Sequence, residues 1–325
     1  MSAQHMDSPR QAIGIDIGGT NLKAAIVSDD GTVSGEVRFP TRAEEGVEAV
    51  LGQLRNILQA IDAGQGWQGR DLAGIGIGCP GLVDSRRGIV RVPPNFPGWE
   101  EVFLADAVQD MSGLRTMVDN DVNAMAAGEL CFGAGRGFQE MICLTLGTGV
   151  GGAFIAGGKI YTGFQGTAGE IGHMTVVPDG PLCKCGNRGC LERLIGAGAI
   201  VENALAKMEQ GGSSSLSSRP SADLTPRHIA EAAGHGDRLA REVLRETGEY
   251  LGIVLAGLVN FLNPQAIIIG GGIAQAGELI FASARETIRS RAYALPGEAV
   301  RILPAQLGET AGLVGAATLL FMAQE

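Results

Sequence analysis

The 325-residue chain contains no run of eighteen apolar residues, so no helix is expected to cross a bilayer. Its first residues, MSAQHMDSPR, are polar and lack a signal-peptide core; residues 1–11 are expected to be a disordered tail. Basic residues are in deficit, with 25 Lys and Arg against 35 Asp and Glu, for a net charge of −10. That balance argues against nonspecific nucleic-acid binding, which relies on clustered cations. It leaves phosphate ligands open, because glycine loops and helix ends bind anions without net positive charge. Cysteine is scarce as well: six in all, three of them within residues 183–190. Such usage does not describe a secreted disulfide framework, and a cytoplasmic location is expected. Two nucleotide signatures are also missing. No G-x-x-x-x-G-K-[ST] run occurs, and the turn at Gly18 leads into a second strand where a Rossmann fingerprint needs a helix.

What the chain has in quantity is glycine, 51 residues, many of them clustered just after short apolar runs. Residues 12–27, AIGIDIGGTNLKAAIV, read as strand, glycine turn, strand, with the polar Asp16 interrupting the first strand. Residues 141–160, MICLTLGTGVGGAFIAGGKI, repeat that pattern. A constant offset of 129 places Gly18 on Gly147, Ala24 on Ala153 and Asp16 on Thr145, an internal duplication of one β-turn-β unit. A third strand-to-glycine turn is expected at Ala266–Gly272.

Between these units the apolar spacing Val47, Val50, Leu51, Leu54, Leu58, Ile61 predicts a helix. Residues 73–84 give a buried strand ending at Pro80-Gly81. The run VPPNFPGW, Val92–Trp99, reads as a surface loop near a ligand. A short strand at Thr116–Val118 should lead into a helix from Val122 to Cys131, with Asn120 and Asp121 at its cap. Further helices are expected at Gly196–Met208, Asp237–Leu262 and Gln275–Arg291, a strand at Val300–Leu303, and a last apolar helix from Glu309. The low-complexity stretch Gly211–Ser221, GGSSSLSSRPS, reads as a mobile loop. Alternating strands and helices imply an α/β fold. No clean linker divides it. The expected division is a smaller N-terminal lobe, 12–120, completed by the C-terminal helix 309–325, and a larger lobe, 121–308.

Three constellations carry chemistry. Gly18-Gly19-Thr20 and Gly147-Thr148-Gly149 offer backbone N–H groups and a hydroxyl to phosphate oxygens, although each alone is equally a tight hairpin. Their duplication, and Asp16 beside one of them as a water-mediated magnesium carboxylate, favour phosphate binding. Asn120-Asp121 reads either as a helix cap or as the site of a general base for phosphoryl transfer. His173 with Cys183, Cys185 and Cys190 is a donor set for tetrahedral zinc, closed and therefore structural. Glu170 and Glu192 flank that cluster. Cys79, Cys131 and Cys143 read as core, and His228 and His235 as solvated surface.

Taken together, DIGGT (16–20), CPG (79–81), ND (120–121), LGTGVGG (146–152), GEIGH (169–173), CKCGNRGCLE (183–192) and GGG (270–272) resemble the ROK family of sugar kinases and repressors. The resemblance implies an actin-like (ribonuclease H-like) duplicated fold of two lobes, with the active site in the cleft between them. It implies an ATP-dependent hexose kinase acting on the 6-hydroxyl, most like the family's glucokinases, with kinases for N-acetylmannosamine, N-acetylglucosamine or fructose, or a sugar-sensing regulator, as alternatives. Asp121 would be the catalytic base. Asn120, Glu170, His173 and Glu192 would hold sugar hydroxyls, and Gly81 would approach the sugar by its backbone. Gly18, Gly19, Thr20, Gly147, Thr148 and Gly149 would cradle the ATP phosphates, with Gly271 and Gly272 beside the adenosine. Magnesium and structural zinc are the expected metals, and a homodimer the expected assembly. The family's repressors carry an N-terminal helix-turn-helix domain; with only about a dozen residues before the first strand here, such a reader is not expected.

Overall fold

The computed structural model describes residues 10–67, 71–93 and 96–323; of the tail expected at residues 1–11, residues 1–9 lie outside them and Gln11 already belongs to the first strand. Two compact units divide the chain. The first comprises Met1–Gly137, Thr162–Ala168 and Gln306–Glu325, the second Phe138–Tyr161 and Gly169–Ala305.

The first unit contains strands β1 (Gln11–Ile17), β2 (Asn21–Ser28), β3 (Val33–Pro40), β4 (Leu72–Cys79), a small sheet of β5 (Leu82–Asp84), β6 (Ile89–Val92) and β7 (Val102–Phe103), and β8 (Thr116–Asn120). Its main sheet runs β3-β2-β1-β4-β8. The first three strands are antiparallel, and β1, β4 and β8 are mutually parallel. Strand alternation explains the sequence AGIGIGC in β4. Ile75, Ile77 and Cys79 join Ile13, Ile15 and Ile17 in the core under the helices Val47–Gln65 and Leu104–Ser112. On the other face, Gly14 and Gly76 meet the last helix, Ala311–Met322, which approaches so closely that a Cβ on either would collide with the carbonyl of Leu313 or Ala316. That helix is apolar around its whole circumference because it is buried around its whole circumference.

The helix Asp121–Phe132 packs on the last helix through a second small-residue contact, where a Cβ on Gly315 would strike the carbonyl of Ala124. Its one interior charge, Glu129, is fully buried. The carboxylate accepts hydrogen bonds from the backbone N–H groups of Gln306 (2.9 Å), Leu307 (2.8 Å) and Ala134 (2.8 Å), so it fastens the turn that leads into the last helix.

The second unit repeats the topology with different residues. Strands β9 (Met141–Leu146), β10 (Val150–Ala156), β11 (Lys159–Ile160), β12 (Ala266–Gly270) and β13 (Arg301–Pro304) form a sheet in the order β11-β10-β9-β12-β13. Again the first three are antiparallel, and β9, β12 and β13 are parallel. Asp16 pairs with Gly78 and its counterpart Thr145 pairs with Gly270, so the turn after β4 corresponds to the glycines after β12. The duplication therefore extends beyond the β-turn-β unit visible in sequence to the whole five-stranded sheet. Helices Arg238–Leu262 and Glu278–Arg291 cover this sheet. No helix among the described residues is long and apolar enough to cross a membrane.

Three local expectations need correction. The VPPNFPGW run does not read as surface where it is described (Pro94 and Asn95 lie outside the described residues). Phe96 and Trp99 are buried in the first core, their rings edge-to-face at 5.3 Å. Gly211–Ser221 is not a free loop: Leu216 is buried, and the Asp237 carboxylate takes hydrogen bonds from Ser214 Oγ, Ser215 Oγ and Ser215 N. The helix expected from Gln275 begins at Glu278, because Gly277 at φ 57° breaks it from a preceding 3-10 turn, Ile273–Ala276.

Glu129→Ala removes the acceptor of several buried N–H groups and should destabilise the protein by about 3 kcal/mol. Urea denaturation measures this; a loss below about 0.5 kcal/mol would show that the turn into the last helix holds without the carboxylate.

Candidate active site

In the first unit the predicted polar residues lie at the carboxyl ends of the parallel strands, where open α/β sheets bind ligands. The hairpin turn Gly18–Thr20 is exposed at its tip and strapped from below by the buried Thr41. The Thr41 hydroxyl donates to Gly18 O (2.6 Å) and its N–H to Thr20 O (2.9 Å). Asp16, the penultimate residue of β1, pairs with Lys23, with Gly312 of the last helix against its carboxylate. Burial pushes the Asp16 carboxyl above the usual range, and Lys23 pulls it back.

Asn120 caps the helix as expected, its Oδ1 accepting from Val122 N (2.8 Å) and Asn123 N (3.3 Å). Its Nδ2 donates to Gly81 O (3.1 Å), which brings the CPG and ND motifs together. Gly81 stands at φ +93°, a conformation that favours glycine. Asp121 is the first helical residue, with Oδ1 accepting from Val122 N at 3.0 Å. A carboxylate there is favoured by the helix dipole. Cys79, buried below, has its thiol pushed well up by burial and by the negative fields of Asp121 and Asp16. The two acids thus converge on one corner of the unit.

The second unit gathers the remaining predicted residues. The turn Gly147–Gly149 closes with Gly147 N donating to Gly149 O (3.0 Å). Glu192 lies directly behind it, Oε2 accepting from Val150 N at 3.0 Å. Glu170 lies near both His173 and Glu192: burial raises its carboxyl, His173 lowers it, and Glu192 raises it further. His173 faces two ways. Its Nδ1 is 3.7 Å from Cys183 Sγ and its Nε2 is 3.9 Å from Glu170 Oε2.

Around His173 the ligand atoms of Cys183, Cys185 and Cys190 all lie within 4.8 Å of one another and of the imidazole. All three cysteines are free thiols, and Cys185 and Cys190 are 3.7 Å apart at sulfur. A disulfide needs about 2.05 Å. Tetrahedral zinc–thiolate bonds of about 2.3 Å place sulfurs about 3.8 Å apart. The donor set therefore fits a tetrahedral zinc-like cation. Gly186 (φ +91°) and Gly189 (φ +65°) make the reversals that fold the cluster. Burial and the neighbouring sulfurs push the Cys190 thiol up to about 12, a like-charge penalty that a bound cation relieves.

Gly271, at φ +91° and packed on the backbone of Leu146, follows β12. Next to it, Gly272 opens onto a cavity of about 310 Å³ lined also by Ile273, Gln275, Ala276, Leu279, Arg227 and Glu231. Apart from the glycines, this lining was not visible in sequence, because Arg227 and Glu231 come from a helix some forty residues earlier. Their ion pair of 2.8 Å at i, i+4 is the one local signal that could have drawn attention to them. His235 is exposed and His228 half-buried, Cys79 and Cys143 are core, and Cys131 is half-buried.

A five-stranded sheet built twice, each copy with a glycine turn at its hairpin, defines the actin-like duplicated α/β fold. Within that class the chain belongs to the ROK family, whose model matches residues 12–322. It is 38% identical over 314 residues to a glucokinase from Thermotoga maritima, covering 95% of this chain and 96% of that one. A ROK family glucokinase from Streptomyces griseus, solved in complex with glucose and AMPPNP, is 38% identical with a TM-score of 0.80, covering 95% of this chain and 98% of that one. A xylose repressor from Caldicellulosiruptor bescii is 32% identical over 93% of this chain and 76% of the repressor.

The cluster geometry predicts about one zinc per chain in the purified protein, with an X-ray absorption edge fitted by three sulfurs and one nitrogen. A spectrum dominated by oxygen ligands, or a protein free of metal with its cysteines unmodified, would contradict it.

Proposed function

We propose that the protein is an ATP-dependent glucokinase that transfers the γ-phosphoryl group to the 6-hydroxyl of glucose. The observation that carries this reading is Asp121, set at a capped helix N-terminus in a chain that shares 38% of its residues with a glucose-bound relative. Phosphoryl transfer asks the protein for position and charge stabilisation rather than covalent chemistry. The first unit supplies Asp121, which accepts the proton of the attacking hydroxyl as its oxygen bonds to the γ-phosphorus and the bond to the departing ADP oxygen breaks. Asn120 and the Gly81 backbone orient the same sugar. The second unit supplies Glu170, His173 and Glu192 for the remaining hydroxyls. The turns Gly18–Thr20 and Gly147–Gly149 donate N–H groups to the phosphates, and the cavity beside Gly271 and Gly272 takes the adenosine.

A magnesium ion held by Asp16 through water would neutralise phosphate charge. Zinc held by His173 Nδ1 with the three thiolates would fix the ring with Nε2 toward Glu170, since the outer nitrogen of a metal-bound histidine is commonly held by a carboxylate. Glu170 favours a plain hexose over an N-acetylhexosamine. Cytoplasmic location and a homodimer are part of the same reading. A sugar-sensing regulator is the second reading, favoured by the likeness to a xylose repressor. Asp121 separates the two, since a sensor needs no base.

Asp121→Asn keeps the shape and removes the proton acceptor. Turnover should fall by about 10³-fold or more while glucose binding by calorimetry changes by less than about tenfold. Near-normal turnover would refute the role of Asp121 as base.

A further inference from the structure

Asp119 precedes the Asn120–Asp121 corner and has no part in the reaction as described. It is buried, and its Oδ1 accepts hydrogen bonds from Asn120 N (2.7 Å) and Asn123 Nδ2 (2.8 Å). Asn123 is 2% exposed, and its own Oδ1 is enclosed without a hydrogen-bond partner among the described residues. A buried amide oxygen left without a donor bears its full desolvation penalty. The carboxyl of Asp119, already bonded to the same amide, offers a donor when it is protonated and none when it is ionised. An acid and an amide facing each other close a ring of two hydrogen bonds, N–H to the acid carbonyl and O–H to the amide oxygen.

We infer that Asp119 is held as a neutral carboxylic acid, donating its O–H to Asn123 Oδ1, and that this acid–amide pair positions the Asn120–Asp121 corner. The positioning role rests on the reading of Asp121 as the base.

The surroundings act in the same direction. Burial pushes the Asp119 carboxyl up to about 6, against the bonds from Asn123 and Asn120. A hydrogen bond made by the neutral form raises it further. The elements packed against β8 are β4, β5 and the helices Leu104–Ser112, Asp121–Phe132 and Ala311–Met322. Their titratable groups are two thiols, Cys79 and Cys131, and five acids, Asp84, Asp106, Asp110, Asp121 and Glu129; they carry no cation. With Asp119 neutral, the helix N-terminus stabilises a single negative charge, that of Asp121.

Asp119→Asn has the shape of the protonated acid and preserves both bonds of the ring. It should keep sugar-dependent kcat/KM within about threefold of the native protein, whereas Asp119→Ala should lose more than about tenfold. The sign of the pH effect follows from linkage. An acid with a raised folded pKa favours the fold at low pH, so the native thermal midpoint falls as pH rises through that pKa. The amide introduced by Asp119→Asn does not titrate, so the variant should lose this component of the fall, which begins above the ordinary carboxyl value of 3.8 and continues up to the raised folded pKa. The native infrared spectrum at neutral pH should show a protonated-carboxyl C=O stretch that Asp119→Asn removes. Asp119→Asn as damaging as Asp119→Ala, or no such band in the native protein, would overturn the inference. If instead Asp121→Asn kept full turnover, the base would be misassigned while the band and the pH effect still stood, so the two failures are distinguishable.

Discussion

The first unit depends on the contact between the last helix and the glycine face of the sheet. Gly14 and Gly76 leave no Cβ to hold the helix off, and Gly315 lets the same helix press against Ala124 of the helix that begins at Asp121. One buried helix from the far end of the chain thereby sets the depth of two carboxylates, Asp16 and Asp121. Gly312 lies against Asp16, and the Asp121 helix rests on Gly315. Glu129 fastens the arrangement by holding the backbone turn from which the last helix starts. In a core packed to crystal density, a single added methyl group at these glycines would be felt at the acids.

The second unit solves the same positioning problem with sulfur and imidazole. His173 belongs to the thiol cluster through Nδ1 and approaches Glu170 through Nε2, so the cluster's rigidity passes to a carboxylate it does not itself ligate. Glu192 is tied differently, through the N–H of Val150 behind the glycine turn. The two sheets share order, direction and hairpin position, yet their polar groups have diverged. Asp16 corresponds in the repeat to Thr145, and the turn carrying Gly81 corresponds to the one carrying Gly271. In the proposed kinase, the turn carrying Gly81 meets the sugar and the turn carrying Gly271 lies beside the adenosine.

Much of this was legible in the sequence because its signals are local. The two strand-turn-strand runs, the Asn120 cap and the cluster of three cysteines with His173 each lie within a short span. What escaped depends on contacts distant in the chain. The full duplication is one of register, since β4 and β12 share pairing positions rather than residues. Nothing local in the sequence marks Glu129, whose bonds run to Gln306 and Leu307, more than 170 residues on. The serine-rich stretch read as mobile by composition, but the single carboxylate of Asp237 orders it. Proline and glycine around Phe96 and Trp99 suggested surface, whereas the aromatic pair packs edge-to-face within the first core.

The most direct test of the account is coupled ADP release measured across a panel of hexoses and N-acetylhexosamines. It predicts that ATP turnover is negligible without sugar and that glucose gives the highest kcat/KM. Glucose that binds but stimulates no turnover would contradict the kinase and leave a sugar sensor in its place.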